Sequence, residues 1–331
     1  MANFKIVVTD YEYKTFEPEK HVFDPLGMTI TYEQCRTEEE VIEKCRDADA
    51  LLNQYAPLSR KVIEQLDACK VISRYGIGVN TVDIDAATEK GIVVANVTDY
   101  CLDEVSDHAM AMLLACNRKV VLLNQDVKKG KWDFNVAAPI PRLRGQTLGL
   151  LGFGNIPRTL ARKAKAFGLT VIAYDPFVSP EVASQEGVTL LDKESVYQQA
   201  DYLSVHLPLN TQTEGFVDKA AFRQMKNSAQ IINTARGPVI DEKAMIEALQ
   251  EGEIAGAGLD VVTSEPIEQD NPLLAMDQVI LNPHAAFYSE EAGAELKSKA
   301  AQNVADVLSG TYPDYLVNRE VRKQLSLADK A

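Results

Sequence analysis

The chain has 331 residues, of which 46% are hydrophobic and 25% are charged, as expected for a globular protein long enough to form two domains. Its formal net charge of −14 disfavours binding to nucleic acid or to an acidic membrane surface. The N-terminus lacks the hydrophobic region of a signal peptide, no apolar run approaches the roughly 20 residues of a membrane span, and the five cysteines form no CxxC pair. We therefore expect a cytoplasmic protein with reduced thiols and without a metal site.

The first hundred residues predict an alternating α/β domain. Helix-length segments such as residues 38–46 and 59–68 separate short segments that are rich in β-branched residues. Alternation of this kind indicates a parallel sheet. The candidate strands are FKIVVTD, DALLNQY, CKVISRYG and GIVVANV.

Residues 103–127 predict one long helix. Apolar side chains are distributed nearly all round it, which is typical of a buried helix.

The segment of residues 147–177 has the pattern of a dinucleotide-binding unit. Residues 148–151 predict a buried parallel strand, after which Gly152 and Gly154 allow a tight turn and close approach of the backbone to a pyrophosphate. A helix over about residues 156–167 would point its unpaired N-terminal amides at that pyrophosphate. The alternative is an ordinary βαβ unit whose glycines only form a turn.

An acidic residue at the end of the next predicted strand supports the dinucleotide interpretation. This strand, Thr170–Tyr174, leads to Asp175, which lies 21 residues beyond Gly154. The spacing is close to the value of about 20 that is typical of a carboxylate on a ribose 2′-hydroxyl. Pro176 and Phe177 follow, not an arginine that would bind a 2′-phosphate, so NAD is favoured over NADP.

One position departs from the G-x-G-x-x-G pattern, because Pro157 replaces the third glycine. Proline is tolerated in the first turn of a helix, where its missing N–H would have no intrahelical partner. We therefore expect the proline to be tolerated, with its ring pushing the helix slightly outward.

After this unit the α/β alternation resumes. The predicted strands are DYLSVHLPL, AQIINTA, GAGLDVV and QVILNPH, with the helix EKAMIEALQEG between the second and third. A last helix is predicted over about residues 289–308. We expect a doubly wound, Rossmann-type NAD-binding domain over residues 102–289 and a flavodoxin-like, discontinuous substrate-binding domain from residues 1–101 and 290–331.

Three polar side chains follow three of these predicted strands. His284 comes after QVIL, Glu265 after GLDVV and Arg236 after QIIN. Because the carboxyl ends of parallel strands share one edge of a sheet, the three side chains can converge on one small volume. The other histidines of the chain are His21, His108 and His206.

These residue types suit hydride transfer between a hydroxy acid and nicotinamide. Histidine serves as base for the hydroxyl proton or as acid for the carbonyl oxygen. A neighbouring carboxylate, here Glu265, favours the protonated imidazole and fixes its orientation. A guanidinium, here Arg236, binds a substrate carboxylate in a planar fork.

Several motifs resemble the D-isomer-specific 2-hydroxyacid dehydrogenase family. They are the dinucleotide unit, RYGIGVNTVDIDAA upstream of it, and NTARG, LDVVTSEP and NPHAAFYS downstream. The resemblance implies that Arg236 binds substrate, that His284 is the acid/base and that Glu265 is its partner. The implied cofactor contacts are Val105, Gly152, Gly154, Asn155, Ile156, Asp175, Leu207, Pro208, Thr213, Thr234, Ala235, Arg236, Asp260 and His284. The implied substrate contacts are Arg74, Ile77, Gly78, Arg236 and Phe287.

Within the family, AKAFGLTVIAYDP and PHAAFYSEE look most like the C-terminal-binding-protein branch. The function that we predict is an NAD-dependent D-2-hydroxyacid dehydrogenase that reduces small 2-keto acids, as a homodimer. The alternatives are a dimeric NAD(H) sensor that binds a partner protein and a D-3-phosphoglycerate dehydrogenase. For the second alternative, Arg74 is present, but Gln54 stands where those enzymes tend to have arginine.

Overall fold

A computed structural model describes residues 4–330 of the chain. The chain forms two compact units. One unit joins the residues up to Tyr100 with those from Ser289 onwards, and the other extends from Cys101 to Tyr288. Among the described residues, no helix is both long enough and apolar enough to cross a bilayer.

The secondary structure alternates between strands and helices along both units. The strands are β1 (Lys5–Val8), β2 (Thr29–Tyr32), β3 (Ala50–Asn53), β4 (Val71–Arg74), β5 (Val93–Ala95), β6 (Thr147–Leu151), β7 (Thr170–Tyr174), β8 (Thr189–Leu190), β9 (Tyr202–Val205), β10 (Gln230–Asn233), β11 (Gly256–Leu259) and β12 (Val279–Leu281). The α-helices are α1 (Glu17–Phe23), α2 (Glu38–Cys45), α3 (Arg60–Glu64), α4 (Ile84–Glu89), α5 (Leu102–Arg118), α6 (Val120–Lys128), α7 (Asn155–Ala166), α8 (Pro180–Gln185), α9 (Lys193–Gln199), α10 (Lys219–Phe222), α11 (Glu242–Glu251) and α12 (Glu290–Leu308).

The first unit contains a five-stranded sheet in the order β2-β1-β3-β4-β5, and every strand pair is parallel. This is the flavodoxin-like order, so the predicted fold class of this unit is confirmed. All residues of the central strands β3 and β4 are buried, which is typical of parallel strands covered on both faces. The edge strand β5 is buried as well, and its Ala95 forms an antiparallel bridge with Leu316. The edge strand β2 was missing from the sequence prediction, because its sequence TITY alternates between exposed and half-buried positions.

The second unit contains a seven-stranded parallel sheet in the order β8-β7-β6-β9-β10-β11-β12. The first six strands follow the Rossmann order, and the direction of winding reverses between β6 and β9. The predicted doubly wound sheet is therefore confirmed. The reversal opens a crevice at the carboxyl ends of these two strands, where such sheets bind ligands.

The prediction of one helix over residues 103–127 is wrong. Lys119 adopts a left-handed conformation with φ of 51°, and its N–H donates to the carbonyl of Ala115, which ends α5. α6 begins at the next residue. α5 is largely buried, as predicted, but α6 exposes Val120 and Val127.

Candidate active site

The turn after β6 depends on a glycine. Gly152 has φ of +91°, and a Cβ there would lie 3.0 Å from the carbonyl oxygen of His206 at the end of β9. The first glycine therefore lets two strand ends approach closely at the reversal point. Gly154 is the N-cap of α7, and nothing lies within 4 Å of the position that its Cβ would occupy. The backbone is consequently open to a ligand at the start of this helix.

Asp175 connects the end of β7 to the glycine turn. Its Oδ2 accepts from the N–H of Phe153, and its Oδ1 accepts from the N–H of Phe177, both at 2.8 Å. A carboxylate has about four acceptor positions, so each oxygen keeps one for a ribose hydroxyl. The carboxylate of Asp175, which we predict to bind the ribose, is thus held rigidly beside the glycine turn.

Pro157 is the third residue of α7 and is buried, so the first turn of this helix tolerates the proline, as predicted. Its missing N–H is one of those that lack an intrahelical partner in any helix. The amides of Asn155 and Ile156 precede it in the first turn. Gly154 has no side chain with which to cap them, so they remain available to an anion.

The loop after β10 carries Arg236 and folds on itself. The side-chain amide of Asn233 donates to the carbonyl of Arg236, and its oxygen accepts from the N–H of Ala235, both at 2.9 Å. The Arg236 guanidinium donates to the carbonyl of Ala235 at 2.6 Å. These bonds fix both the backbone and one edge of the guanidinium.

Gly237 allows this loop to touch the loop that follows β11. A Cβ at Gly237 would lie 2.0 Å from the carbonyl carbon and oxygen of Val262 and 2.6 Å from the nitrogen of Thr263. Any side chain would push the two loops apart. The N–H of Val262 also donates to Oε1 of Glu265 at 3.2 Å, so the close approach brings the loops of Arg236 and Glu265 together.

Glu265 and His284 form a direct pair. The distance from His284 Nδ1 to Glu265 Oε2 is 2.7 Å, and the side chains of His284 and Glu265 are 24% and 39% exposed. Partial burial raises the pKa of the Glu265 carboxyl, but the hydrogen bond and charge of His284, the Val262 N–H and the charge of Arg236 together lower it. Glu265 is therefore an anion at neutral pH, and the three predicted catalytic side chains influence one another.

Phe287 lies near the imidazole of His284. Their ring centroids are 6.2 Å apart, in an edge-to-face arrangement. By contrast, His206 contacts a hydroxyl group: its Nε2 lies 2.8 Å from the hydroxyl oxygen of Ser204, and burial lowers the pKa of His206 to about 3. His206 therefore stays neutral at physiological pH, which does not suit an acid that must carry a proton.

Comparisons with known proteins identify the family of this chain. Residues 110–286 match the profile of the "D-isomer specific 2-hydroxyacid dehydrogenase, NAD binding domain" family. The chain is 40% identical over 284 residues to the D-3-phosphoglycerate dehydrogenase of Methanocaldococcus jannaschii, covering 85% of this chain and 54% of that protein. It is 35% identical over 323 residues to the hydroxypyruvate reductase of Blautia hydrogenotrophica, covering 95% of this chain and 100% of that protein.

A solved structure, the TT0316 protein from Thermus thermophilus, superposes with a TM-score of 0.85 at 28% identity, covering 95% of this chain and 99% of that one. The chain belongs to the D-isomer specific 2-hydroxyacid dehydrogenase family. The predicted membership is thus confirmed, and so is NAD as the cofactor. The chain spans about half the length of the phosphoglycerate dehydrogenase that it matches.

The remaining predicted cofactor residues include an unsatisfied hydroxyl at the carboxyl edge of this sheet. Thr234, after β10, has a buried hydroxyl without a hydrogen-bond partner among the described residues, so a ligand can satisfy it. Thr213 Oγ accepts from the N–H of Asn210 and donates to the carbonyl of Pro208, which shapes the loop after β9. Leu207 and Val105 are buried apolar residues of the same unit. Within residues 4–330, no group of three histidine, cysteine, aspartate or glutamate side chains is placed to hold a metal ion.

The predicted substrate contacts Arg74, Ile77 and Gly78 belong to the other unit. Arg74 ends β4 and is only 5% exposed; its guanidinium donates to the carbonyl of Tyr75 and lies over the ring of Tyr55, 5.6 Å from its centroid. The amide of Asn96 donates to the carbonyl of Ile77 at 2.7 Å. The loop after β4 is therefore held by hydrogen bonds to the carbonyl groups of Tyr75 and Ile77.

The sequence analysis missed two features of this site. Asp260, expected only as a cofactor contact, directs both carboxylate oxygens to backbone amides, those of Ala285 and Ala286, at 2.9 Å. His108 on α5, to which we assigned no role, has its Nε2 3.5 Å from Asp260 Oδ1. A histidine within a mainly apolar helix is the only sequence signal that could have indicated this contact.

Proposed function

We propose that this chain reduces small 2-keto acids to D-2-hydroxy acids with NADH, and that Arg236, Glu265 and His284 act together in the reaction. The observation that carries the proposal is the His284–Glu265 pair, 2.7 Å apart, beside an arginine whose charge reaches the same carboxylate. An acid/base, its anionic partner and a binder for a carboxylate are the groups that this reaction needs.

His284 provides the proton. Its Nδ1 is engaged by Glu265, so Nε2 is the nitrogen that faces a substrate. In the protonated imidazole, Nε2–H donates to the keto oxygen and transfers its proton as the C–O double bond becomes a C–O single bond. Bound NADH supplies the hydride that the keto carbon accepts. The neutral imidazole left behind is the base for the reverse oxidation.

Arg236 and Glu265 prepare the site for this proton transfer. A guanidinium presents a fork of donors that matches a carboxylate, and Arg236 has one edge fixed by the carbonyl of Ala235. The anionic Glu265 compensates the charge of the imidazolium. We assign Phe287 to the wall of the substrate site because its ring lies against His284, and the amides of Ile77 and Gly78 to the substrate carboxylate.

The cofactor contacts are also part of this proposal. Asn155 and Ile156 bind the pyrophosphate and Asp175 binds the ribose, which their backbone geometry and hydrogen bonding support. Leu207, Pro208 and Thr213 lie near the adenosine in this assignment. Thr234, Ala235 and Asp260 lie near the nicotinamide.

The test is a panel of 2-keto acids with NADH, followed at the absorbance of the reduced nicotinamide. Glyoxylate, hydroxypyruvate, pyruvate and 2-ketoglutarate vary the size and charge of the substrate tail while keeping the keto acid. Saturable oxidation of NADH with a D-hydroxy acid product supports the proposal. No turnover with any member, in a preparation that binds NADH, overturns it.

A D-3-phosphoglycerate dehydrogenase is the second candidate, since a relative of that name is 40% identical over 85% of this chain. A phosphorylated substrate needs cations at its tail, and Arg74 is the residue that we predicted for this role. Its guanidinium is buried against Tyr55 and donates to the carbonyl of Tyr75, which favours the unphosphorylated substrates. Comparing 3-phosphohydroxypyruvate with hydroxypyruvate by kcat/KM distinguishes the two candidates.

A homodimer is part of the proposal as well. Trp132 and Phe134, in the segment after α6, are 90% and 78% exposed. Exposed aromatic residues that lie close together in the chain are typical of an interface. Light scattering after gel filtration tests the dimer, and Trp132→Ser with Phe134→Ser should yield monomers. The alternative of an NAD(H)-sensing binding protein would show NADH-dependent association without turnover.

We also propose a reducing compartment such as the cytoplasm. All five cysteines are free thiols, and four of them are buried. Such thiols persist where the surroundings keep them reduced. Cell fractionation with an antibody against the chain tests the location.

A further inference from the structure

We propose that His108 is a positioning residue that acts through the carboxylate of Asp260 to hold the backbone turn that carries His284. All three residues belong to the second unit. The inference deepens the proposed function and rests on the assignment of His284 as the acid/base.

The turn at His284 has an uncommon backbone. His284 has φ of 53° and is one of two non-glycine residues with positive φ among residues 4–330. The left-handed conformation brings the Cβ of an L-residue close to the backbone, so it persists only where the surroundings impose it. Because this φ determines where the imidazole points, whatever imposes it also aims the acid/base.

Asp260 imposes this conformation with three hydrogen bonds. Its carbonyl oxygen accepts from the N–H of His284 at 2.7 Å. Its Oδ1 and Oδ2 accept from the next two amides, those of Ala285 and Ala286, at 2.9 Å. Successive amides that converge on one anion form the type of nest that binds negative charge. Asp260 itself follows β11 directly, and its N–H donates to the carbonyl of Asn233 at 2.9 Å, so its backbone is anchored in the sheet.

The Asp260 carboxylate can accept a further hydrogen bond. It is 1% exposed, and a buried carboxylate requires donors or a positive charge in place of water. Two of its about four acceptor positions are taken by the amides. His108 Nε2 is the ring nitrogen next to it, 3.5 Å from Oδ1, and this nitrogen is itself buried without a hydrogen bond to any described residue. The unsatisfied nitrogen of His108 therefore faces a carboxylate that retains free acceptor positions.

The location of His108 explains why it can act on the turn. α5 packs against β10 and β11, so it presents His108 to the strand end from which Asp260 projects. The histidine side chain is 26% exposed, so part of the ring reaches solvent while Nε2 faces the carboxylate. With the proton on Nε2, a shift of a few tenths of an ångström completes a charge-assisted hydrogen bond.

Two variants separate positioning from packing. His108→Gln keeps an N–H₂ donor near the place of Nε2, whereas His108→Leu keeps a similar volume and removes the donor. The first measurement is hydrogen exchange of the amides of Ala285 and Ala286, resolved by NMR. We expect at least about tenfold faster exchange at these two amides in H108L, with α5 and β11 unchanged, and exchange within about threefold of the original in H108Q.

The second measurement is steady-state reduction of the best 2-keto acid. We expect kcat of H108L to fall by about tenfold to hundredfold, because misplacing a reacting group by even 1 Å has effects of this size. KM for NADH should stay within about twofold, and H108Q should recover most of kcat. Should H108L fail to fold, His108→Asn replaces it, because its shorter amide cannot reach Asp260, and the same results are expected.

A double-mutant cycle tests the route through Asp260. In the background of Asp260→Asn, adding H108L should have no further effect on exchange at Ala285 and Ala286, since the carboxylate through which His108 acts is gone. Additive effects, unchanged exchange in H108L, or equal damage from H108Q and H108L would each overturn the proposal. The hydrogen-exchange measurement does not require enzymatic turnover. If the protein reduces no 2-keto acid, the proposed function is overturned, but the exchange rates of the Ala285 and Ala286 amides still decide whether His108 holds the turn.

Discussion

Replacing Glu265 by glutamine tests the mechanism, because it removes a charge and keeps a hydrogen-bond acceptor. The glutamine oxygen can still accept from Nδ1 of His284, so the imidazole keeps its orientation. The protonated imidazole loses its anionic neighbour and becomes less favourable. Protonated His284 is the form that reduces a ketone, and neutral His284 is the form that oxidises an alcohol. We therefore expect the high-pH limb of the reduction profile and the low-pH limb of the oxidation profile to move together to lower pH.

The size of this movement follows from the geometry. Two unit charges about 4 Å apart interact by about 1 kcal/mol in water and by about 4 kcal/mol at the effective dielectric constant near a protein surface. Both members of the pair are partly exposed, Glu265 at 39% and His284 at 24%. We therefore take an intermediate value of about 1.5 to 3 kcal/mol. Since one pH unit corresponds to about 1.4 kcal/mol, each limb should move by about one to two units.

The assay is kcat/KM against pH in both directions with one substrate pair, for wild type and E265Q. Glu268→Gln is the matched control, because it removes one negative charge from the same loop at an exposed position three residues away. Both limbs of this control should stay within about 0.3 units of wild type, as expected for a screened surface charge. If neither limb moves in E265Q while the rates remain high, Glu265 is not coupled to the proton-transfer group.

Three other substitutions or comparisons test the site. His284→Asn should lower kcat by about 10² to 10⁴ while NADH binding, measured by fluorescence, persists; activity within threefold of wild type would exclude His284 as the acid/base. NADH should exceed NADPH in kcat/KM by at least about tenfold because the carboxylate of Asp175 repels a 2′-phosphate, and Asp175→Asn should narrow this ratio. Gly237→Ala should destabilise the fold by about 1 to 3 kcal/mol and lower kcat/KM at least about tenfold, because its Cβ would lie 2.0 Å from the carbonyl of Val262; Gly293→Ala in α12, where nothing lies within 4 Å, should be tolerated in thermal unfolding and activity.

The dinucleotide-binding unit could be predicted from sequence because its determinants are local. The strand Thr170–Tyr174 has the predicted bounds, and β6 and α7 differ from the prediction by about one residue. The glycine turn, the apolar strands and the terminal aspartate all lie within about 30 residues of chain. Each is identified by residue type and spacing alone.

The break between α5 and α6 could not be predicted in this way. Left-handed residues at helix ends are usually glycine, and Lys119 gives no such signal. The apolar residues on both sides of Lys119 continue a helical pattern. Most apolar side chains of α5 are buried, whereas Val120 and Val127 of α6 are exposed. The pattern therefore indicated helix correctly but did not indicate where the chain turns. Tertiary contacts decide that, and they are not local in sequence.

The same distinction explains the active site. The positions of Arg236, Glu265 and His284 after successive strands could be predicted, because parallel strands place their carboxyl ends at one edge. Their mutual orientation depends on contacts between residues about 25 apart: the close approach of Gly237 to Val262 and the two amides that converge on Asp260. Neither contact has a residue pattern of its own. A glycine that is needed for the close approach of two loops looks, in the sequence, like a glycine in any turn.

Substitutions at the site should fall into two classes, those that remove a chemical group and those that change its position. A change at Arg236, Glu265 or His284 removes a chemical group, so its effect should depend on pH or on the substrate carboxylate. A change at Gly237, Asp260 or His108 removes none of these three groups but changes their positions. Its effect should instead appear as a loss of kcat that is similar at every pH and accompanied by faster exchange of nearby amides. The two classes of residue can thus be told apart by the shape of the kinetic profile even where the loss of activity is equal.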